Sequence, residues 1–179
     1  MAFMAIRVKR AATLVFTGAA AAAVVGTVAL AGPAGASARP AASGTEQFQV
    51  VSASVTPTTA GVILSGALTT AGVDHISTSD ANTSADLFVL PGGSFKVVHT
   101  GKSGTQAFNF KTCLYTFSQP GTYKLSGGTG KYAGISGHGT YTVSGIGLSP
   151  RLRNGKCNPN AVATAQQIVF RGSGPVRLP

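Results

Sequence analysis

Beyond residue 45 the apolar positions of this chain recur at every second residue, in short runs broken by glycine, proline and small polar clusters. Phe95, Val97 and His99 share one face of such a run, and Lys96, Val98 and Thr100 share the other. No long stretch carries a 3.6-residue apolar period, so the pattern predicts strands and no helix of consequence. Candidate strands fall at 47–55, 62–69, 73–79, 86–90, 94–100, 105–117, 122–126, 139–144 and 161–171. Pro91-Gly92-Gly93 marks a hairpin, because proline presets φ and the glycines accept a positive one. Gly101-Lys102-Ser103-Gly104 and Gln119-Pro120-Gly121 read as further turns, 80–84 as a polar loop, and 148–160 as a long basic loop. About eight strands with short connections make one all-β domain over 46–171, closed into a barrel or stacked as a sandwich to protect its edges. A flexible lead-in at 39–45 and a tail at 172–179 flank it.

The start of the chain departs from that pattern. Arg7, Lys9 and Arg10 precede an uncharged run from Ala11 to Gly32, and small residues then lead to Ala36-Ser37-Ala38. A basic segment, an apolar segment and a small-x-small site in that order describe a secretory signal peptide over 1–38, cleaved after Ala38. The run is also long enough to span a bilayer, but it is dominated by alanine and glycine and ends in the cleavage site. No cysteine follows it closely, as a lipoprotein would require. The expected product is therefore secreted, with no stable membrane anchor after cleavage.

Export changes the reading of Cys113 and Cys157. Two cysteines in an oxidising compartment pair, and closing so long a loop is worth about 4 kcal/mol. Neither has further ligands at zinc spacing. Charge is unevenly distributed: Glu46, Asp74, Asp80 and Asp86 are the only acids, and from Lys96 onward every charged side chain is Lys or Arg. The surplus of +10 implies attraction to an anionic partner such as a cell-surface polymer. The cations are nevertheless spread along the strands, which also suits a merely well-solvated surface. Sequence-specific nucleic-acid binding is not expected of an exported chain without a recognition motif.

Catalytic signatures are sparse. Gly101-Lys102-Ser103 lacks the upstream glycine of a phosphate loop, and Gly128-Thr129-Gly130 lacks the third glycine of a dinucleotide turn. There is no Gly-x-Ser-x-Gly elbow. His75, His99 and His138 show no metal-binding spacing, so no metal and no cofactor is expected. Asp74, Asp80 and Asp86 stand in turn-prone stretches where Asp bonds its own backbone. Of these, Asp74 and Asp86 are the only candidates for a catalytic acid, and of the neighbours Asp74 and His75 only one can point inward.

The densest local signal is SGGTGKYAGISGHGTY over 126–141, a chain reversing through glycines with one aromatic tucked beneath. Gly127, Gly128, Thr129, Gly130, Tyr132, Gly134 and Gly137 fill a Gly-Gly-(Thr/Ser)-Gly-x-aromatic-x-Gly-x-x-Gly pattern that resembles the signature turn of the allene oxide cyclase and dirigent barrel superfamily. Leu90-Pro-Gly-Gly-Ser-Phe and Lys111-Thr-Cys-Leu-Tyr extend the resemblance loosely toward small secreted bacterial barrels. It implies a single eight-stranded antiparallel β-barrel with a central cavity. The family's catalytic acids do not match this chain position by position.

Three functions follow as expectations. The leading one is non-enzymatic: a barrel binding a small apolar ligand, with Phe95, Phe108, Phe110, Tyr115, Phe117, Tyr123 and Tyr141 as candidate lining residues or plain core. The second is a cyclase- or dirigent-type enzyme steering a reactive intermediate, which requires an inward acid touching a cavity. The third is a surface-interaction protein binding an anionic polymer.

Overall fold

The computed structural model describes residues 43–77 and 83–178. The signal-peptide segment 1–38, most of the lead-in and the greater part of the 80–84 loop lie outside them. Nine strands follow in chain order: β1 (Ser43–Ser52), β2 (Thr59–Gly66), β3 (Thr70–His75), β4 (Thr83–Leu90), β5 (Gly93–Gly101), β6 (Thr105–Asn109), β7 (Leu114–Ser126), β8 (Ser136–Leu148) and β9 (Ala165–Arg177). A single 3₁₀ turn, Gly130–Tyr132, stands between β7 and β8.

All neighbours are antiparallel, in the order β5-β4-β3-β2-β1-β9-β8-β7-β6. Pairing of β5 with β7, from Lys96↔Ser126 to Gly101↔Gly121, closes the sheet into an eight-stranded barrel. The ninth strand, β6, continues β5 along β7: Gly101 faces Gly121, and Thr105 faces Ser118. Three residues thus oppose two, so the expected turn at 101–104 is a β-bulge.

The bulge also explains Pro120, which lies inside β7 and not in a turn. The Pro120 carbonyl accepts from the Lys102 N–H at 2.9 Å. Its missing N–H therefore points to the interrupted side of the ladder, where a strand tolerates proline. The expected single strand over 105–117 is instead a hairpin. Asn109 Oδ1 accepts from the Lys111 and Thr112 N–H groups at 2.9 and 3.2 Å, and Cys113 turns through φ 63°. Such a side-chain-to-backbone turn competes well with continued strand. At the other end, the expected tail from Gly172 is the second half of β9, paired with β1 and β8.

Alternation places Phe48, Val62, Leu64, Phe88, Phe95, Val97, Tyr123, Tyr141 and Val176 inside. Five inward rings lie over a glycine directly across the ladder: Phe48 over Gly172, Tyr115 over Gly147, Phe117 over Gly145, Tyr123 over Gly139 and Tyr141 over Gly121. Any side chain at those glycines would collide with the ring. At these positions a large residue is matched to a vacant one, which leaves room for the ring beside the opposite strand.

One end of the barrel is sealed by the glycine-rich reversal. Thr129 and Lys131 donate backbone N–H groups to Ser94 O and Gly92 O, both at 2.8 Å, docking the reversal onto the β4–β5 turn. Gly127, Gly130 and Gly134 have positive φ, and Tyr132 is buried beneath against Phe95 at 5.6 Å between ring centroids. At this end Glu46 is buried, its Oε2 accepting from the Leu68 N–H at 2.7 Å to hold the β2–β3 turn. At the opposite end β7, β8 and β9, each 13 residues long, project past the barrel with β6. The Cys113–Cys157 disulfide, 44 residues apart in sequence, staples the β6–β7 turn to the loop between β8 and β9.

Tyr132→Ala empties the plug under the reversal and should cost about 3–5 kcal/mol in denaturant unfolding. A loss under 1 kcal/mol would mean that the glycine reversal seals the barrel without its ring.

Candidate functional site

Where the strands project, the barrel interior opens into a cavity of about 160 Å³. Its lining includes Val50, Ala60, Phe88, Val97, Val143, Ile168 and Phe170, together with Ser52, Pro57, Ile76 and Ser84. Three titratable side chains enter this apolar space: Asp74 from β3, Asp86 from β4 and His99 from β5.

Strand register brings them together. Asp74 stands opposite Phe88, Asp86 opposite Val97, and Ser84 opposite His99. Each of the three is thus a diagonal neighbour of the next on the inward face, and such neighbours lie about 7–8 Å apart. His75, adjacent to Asp74, points outward and is exposed. Asp74 and Asp86 are therefore inward strand residues, contrary to the expectation of acids bonded to their own turns. For Asp86, His99 on β5 and the Ser77 N–H supply the pairing that its own turn would have provided.

Asp86 is well held. Its Oδ1 accepts from the Ser77 N–H at 3.1 Å and its Oδ2 from His99 Nε2 at 2.8 Å. His99 in turn meets the rings of Tyr141 and Phe170 edge-on, at 5.3 and 5.1 Å. Tyr141 stacks on Phe170 at 4.2 Å, which fixes that side of the wall.

Asp74 is held differently. It is only 2% exposed, and its Oδ1 has no hydrogen-bond partner among the described residues. Burial in apolar surroundings, reinforced by the negative charge of Asp86, pushes its carboxyl up to about 8. Asp74 is consequently a neutral carboxylic acid at neutral pH, with an unpartnered oxygen buried in the cavity wall. A group in that state can donate a hydrogen bond to a carbonyl or hydroxyl oxygen, or a proton to one that is gaining negative charge.

The aromatic candidates distribute elsewhere. Phe95, Tyr123 and Tyr141 are buried core. Phe108, Tyr115 and Phe117 are half-buried on the projecting strands, where Tyr115 Oη donates to Gln166 Oε1 at 2.8 Å, and Phe110 is exposed at the tip. The rings that line the cavity are Phe88 and Phe170. Sequence reasoning missed those two and His99. The face shared by Phe95, Val97 and His99 was visible, but joining His99 to Asp86 required the hairpin register. Among the described residues no group of three or more His, Cys, Asp or Glu is arranged to hold a metal ion.

Comparison with protein-family models, with curated proteins and with solved structures finds no match to this chain.

Asp74 ionises near 3.8 in the unfolded chain and near 8 in the folded one. Between those values the native state holds the extra proton, so this group makes stability fall as pH rises, with no further loss above about pH 8. Asp74→Asn removes the effect. Its melting temperature should exceed that of the wild type by several degrees at pH 8, and the gap should close toward pH 4. A gap independent of pH would contradict the assignment.

Proposed function

We propose that the barrel binds a small, mainly apolar molecule carrying one hydrogen-bond acceptor, and that the neutral carboxyl of Asp74 supplies the donor. The observation that carries this reading is the unpartnered Oδ1 of Asp74, buried in the wall of an apolar cavity. An unpaired buried polar group costs about 1–3 kcal/mol, and a ligand acceptor would remove that cost. Size narrows the class: a cavity of roughly 150 Å³ accepts a benzene-sized molecule, so a single ring or short branched chain fits the 160 Å³ here.

A second reading is steering of a reactive intermediate, as in the allene oxide cyclase and dirigent barrels. The Asp86–His99 pair favours it, because it places a second titratable centre beside the neutral Asp74 in one cavity. Membership of that superfamily is part of this proposal. Its support is the closed eight-stranded antiparallel barrel together with the Gly127–Gly137 run. We also read the protein as secreted after loss of residues 1–38, which the Cys113–Cys157 bond supports by requiring an oxidising compartment.

Cyclohexanone and acetophenone are suitable probes, read by shifts of cavity resonances in NMR. Binding should be lost in Asp74→Leu, partly kept in Asp74→Asn, and weakened about tenfold per pH unit above pH 8. Equal binding by Asp74→Leu would overturn the donor role. Depletion of an added reactive substrate, dependent on His99 as well as Asp74, would favour the enzymatic reading over simple binding.

Intact mass of the protein from culture medium should equal residues 39–179 less two hydrogens. A mass retaining 1–38 would refute cleavage.

A further inference from the structure

The projecting end of the barrel carries an unusual surface. Phe110 and Leu152 are 70% and 46% exposed, and Leu114, Ile146 and Leu148 are exposed on the outer face just below. Leu114 pairs directly with Leu148, and Ile146 lies on the same face two residues away, so the apolar positions are contiguous there. Isolated exposed apolar residues need no explanation, but a cluster at one end of a molecule does.

This cluster is rigidly held. The disulfide ties the Phe110–Cys113 turn to the loop after β8. Arg151 donates from Nη2 to Lys111 O and from Nη1 to Gly155 O, both at 2.7 Å, and Ser149 N–H donates to Cys113 O at 2.9 Å. Phe110 is thus fixed outward, not left there by a loose loop.

Cations surround it. Lys111, Arg151, Arg153 and Lys156 are all exposed on the same two stapled segments. No acid follows Asp86 in the chain, and the described acids Glu46, Asp74 and Asp86 are buried inside the barrel. No described acidic side chain can therefore neutralise the tip from outside. An anionic partner complements the charge. A solvated polyanion would leave Phe110 and Leu152 in water, whereas an anionic lipid surface accepts both kinds of group at once.

We infer that the disulfide-stapled tip is a peripheral docking site for an anionic lipid surface. Phe110 and Leu152 enter the boundary between headgroups and acyl chains, and Lys111, Arg153 and Lys156 meet the lipid phosphates. The cavity lies at this same end, since its lining residue Ile168 faces Ser52 where β9 leaves the barrel. The docking inference does not depend on what the cavity binds.

The chain contains no tryptophan, so Phe110→Trp introduces a unique fluorophore at the tip. With vesicles of phosphatidylcholine and phosphatidylglycerol, its emission should shift to the blue and be quenched by brominated acyl chains. That readout reports the tip alone, whatever the N-terminal segment does. Replacing Lys111, Arg153 and Lys156 by Gln should weaken the response about a hundredfold, at roughly fivefold per charge, and raised salt should do likewise. Unchanged emission with anionic vesicles would overturn the inference, as would an equal response to pure phosphatidylcholine. An equal shift produced by soluble poly(glycerol phosphate) would overturn it in favour of an anionic polymer. All four substituted side chains are exposed, so an unaltered melting temperature is expected and checks that the variants fold.

Discussion

The ladder between β5 and β7 is the bond on which the rest of the molecule depends. Without it, β5 would be a free edge, and the two ends of a strongly twisted sheet would stand apart. With it, the interior becomes a fixed volume that side chains must fill. That constraint accounts for the repeated pairing of an aromatic ring with a glycine across the ladder, because the ring lies over the position that a side chain there would occupy. It also accounts for the bulge before β6, which lets one strand run past the end of the barrel while Pro120 sits where no donor is needed.

Closure also sorts the charges. The inward face receives Glu46, Asp74 and Asp86, and the outward face receives the Lys and Arg side chains. The three acids have different fates inside. Glu46 holds a turn at the sealed end, Asp86 is satisfied by His99 and by a backbone N–H, and Asp74 keeps an oxygen without a partner. Glu46 Oε1 is likewise without a partner among the described residues, but of these two acids only Asp74 lines the cavity. Because the described acids are inside, the described exterior is more uniformly cationic than the net charge alone suggests. The projecting strands inherit that character, and the disulfide concentrates it with Phe110 and Leu152 at one end.

Much of the architecture was legible along the chain. Period-two alternation identified most of the strands, Pro91-Gly92-Gly93 located a hairpin, and the glycines of 127–137 with Tyr132 located the reversal that seals one end. These features are local: neighbouring residues determine which face a side chain takes and where φ can be positive. Asn109 was a local signal left unread, although an Asn opening an Asn-Phe-Lys-Thr-Cys turn is a capable acceptor for two backbone N–H groups.

What the chain alone could not reveal is which faces meet. Whether Pro120 ends a strand depends on a bulge in a partner strand. Whether Asp74 and Asp86 are solvated turn residues or buried cavity groups depends on the register of β3, β4 and β5. The amino-acid sequence by itself determined most strands, the 91–93 and 127–137 reversals, the supply of acids and cations, and the two cysteines available to pair. The tertiary structure alone decided that Asp74, Asp86 and His99 share one cavity and that Phe110 is left outside, because diagonal contact across strands arises only from long-range pairing and barrel closure.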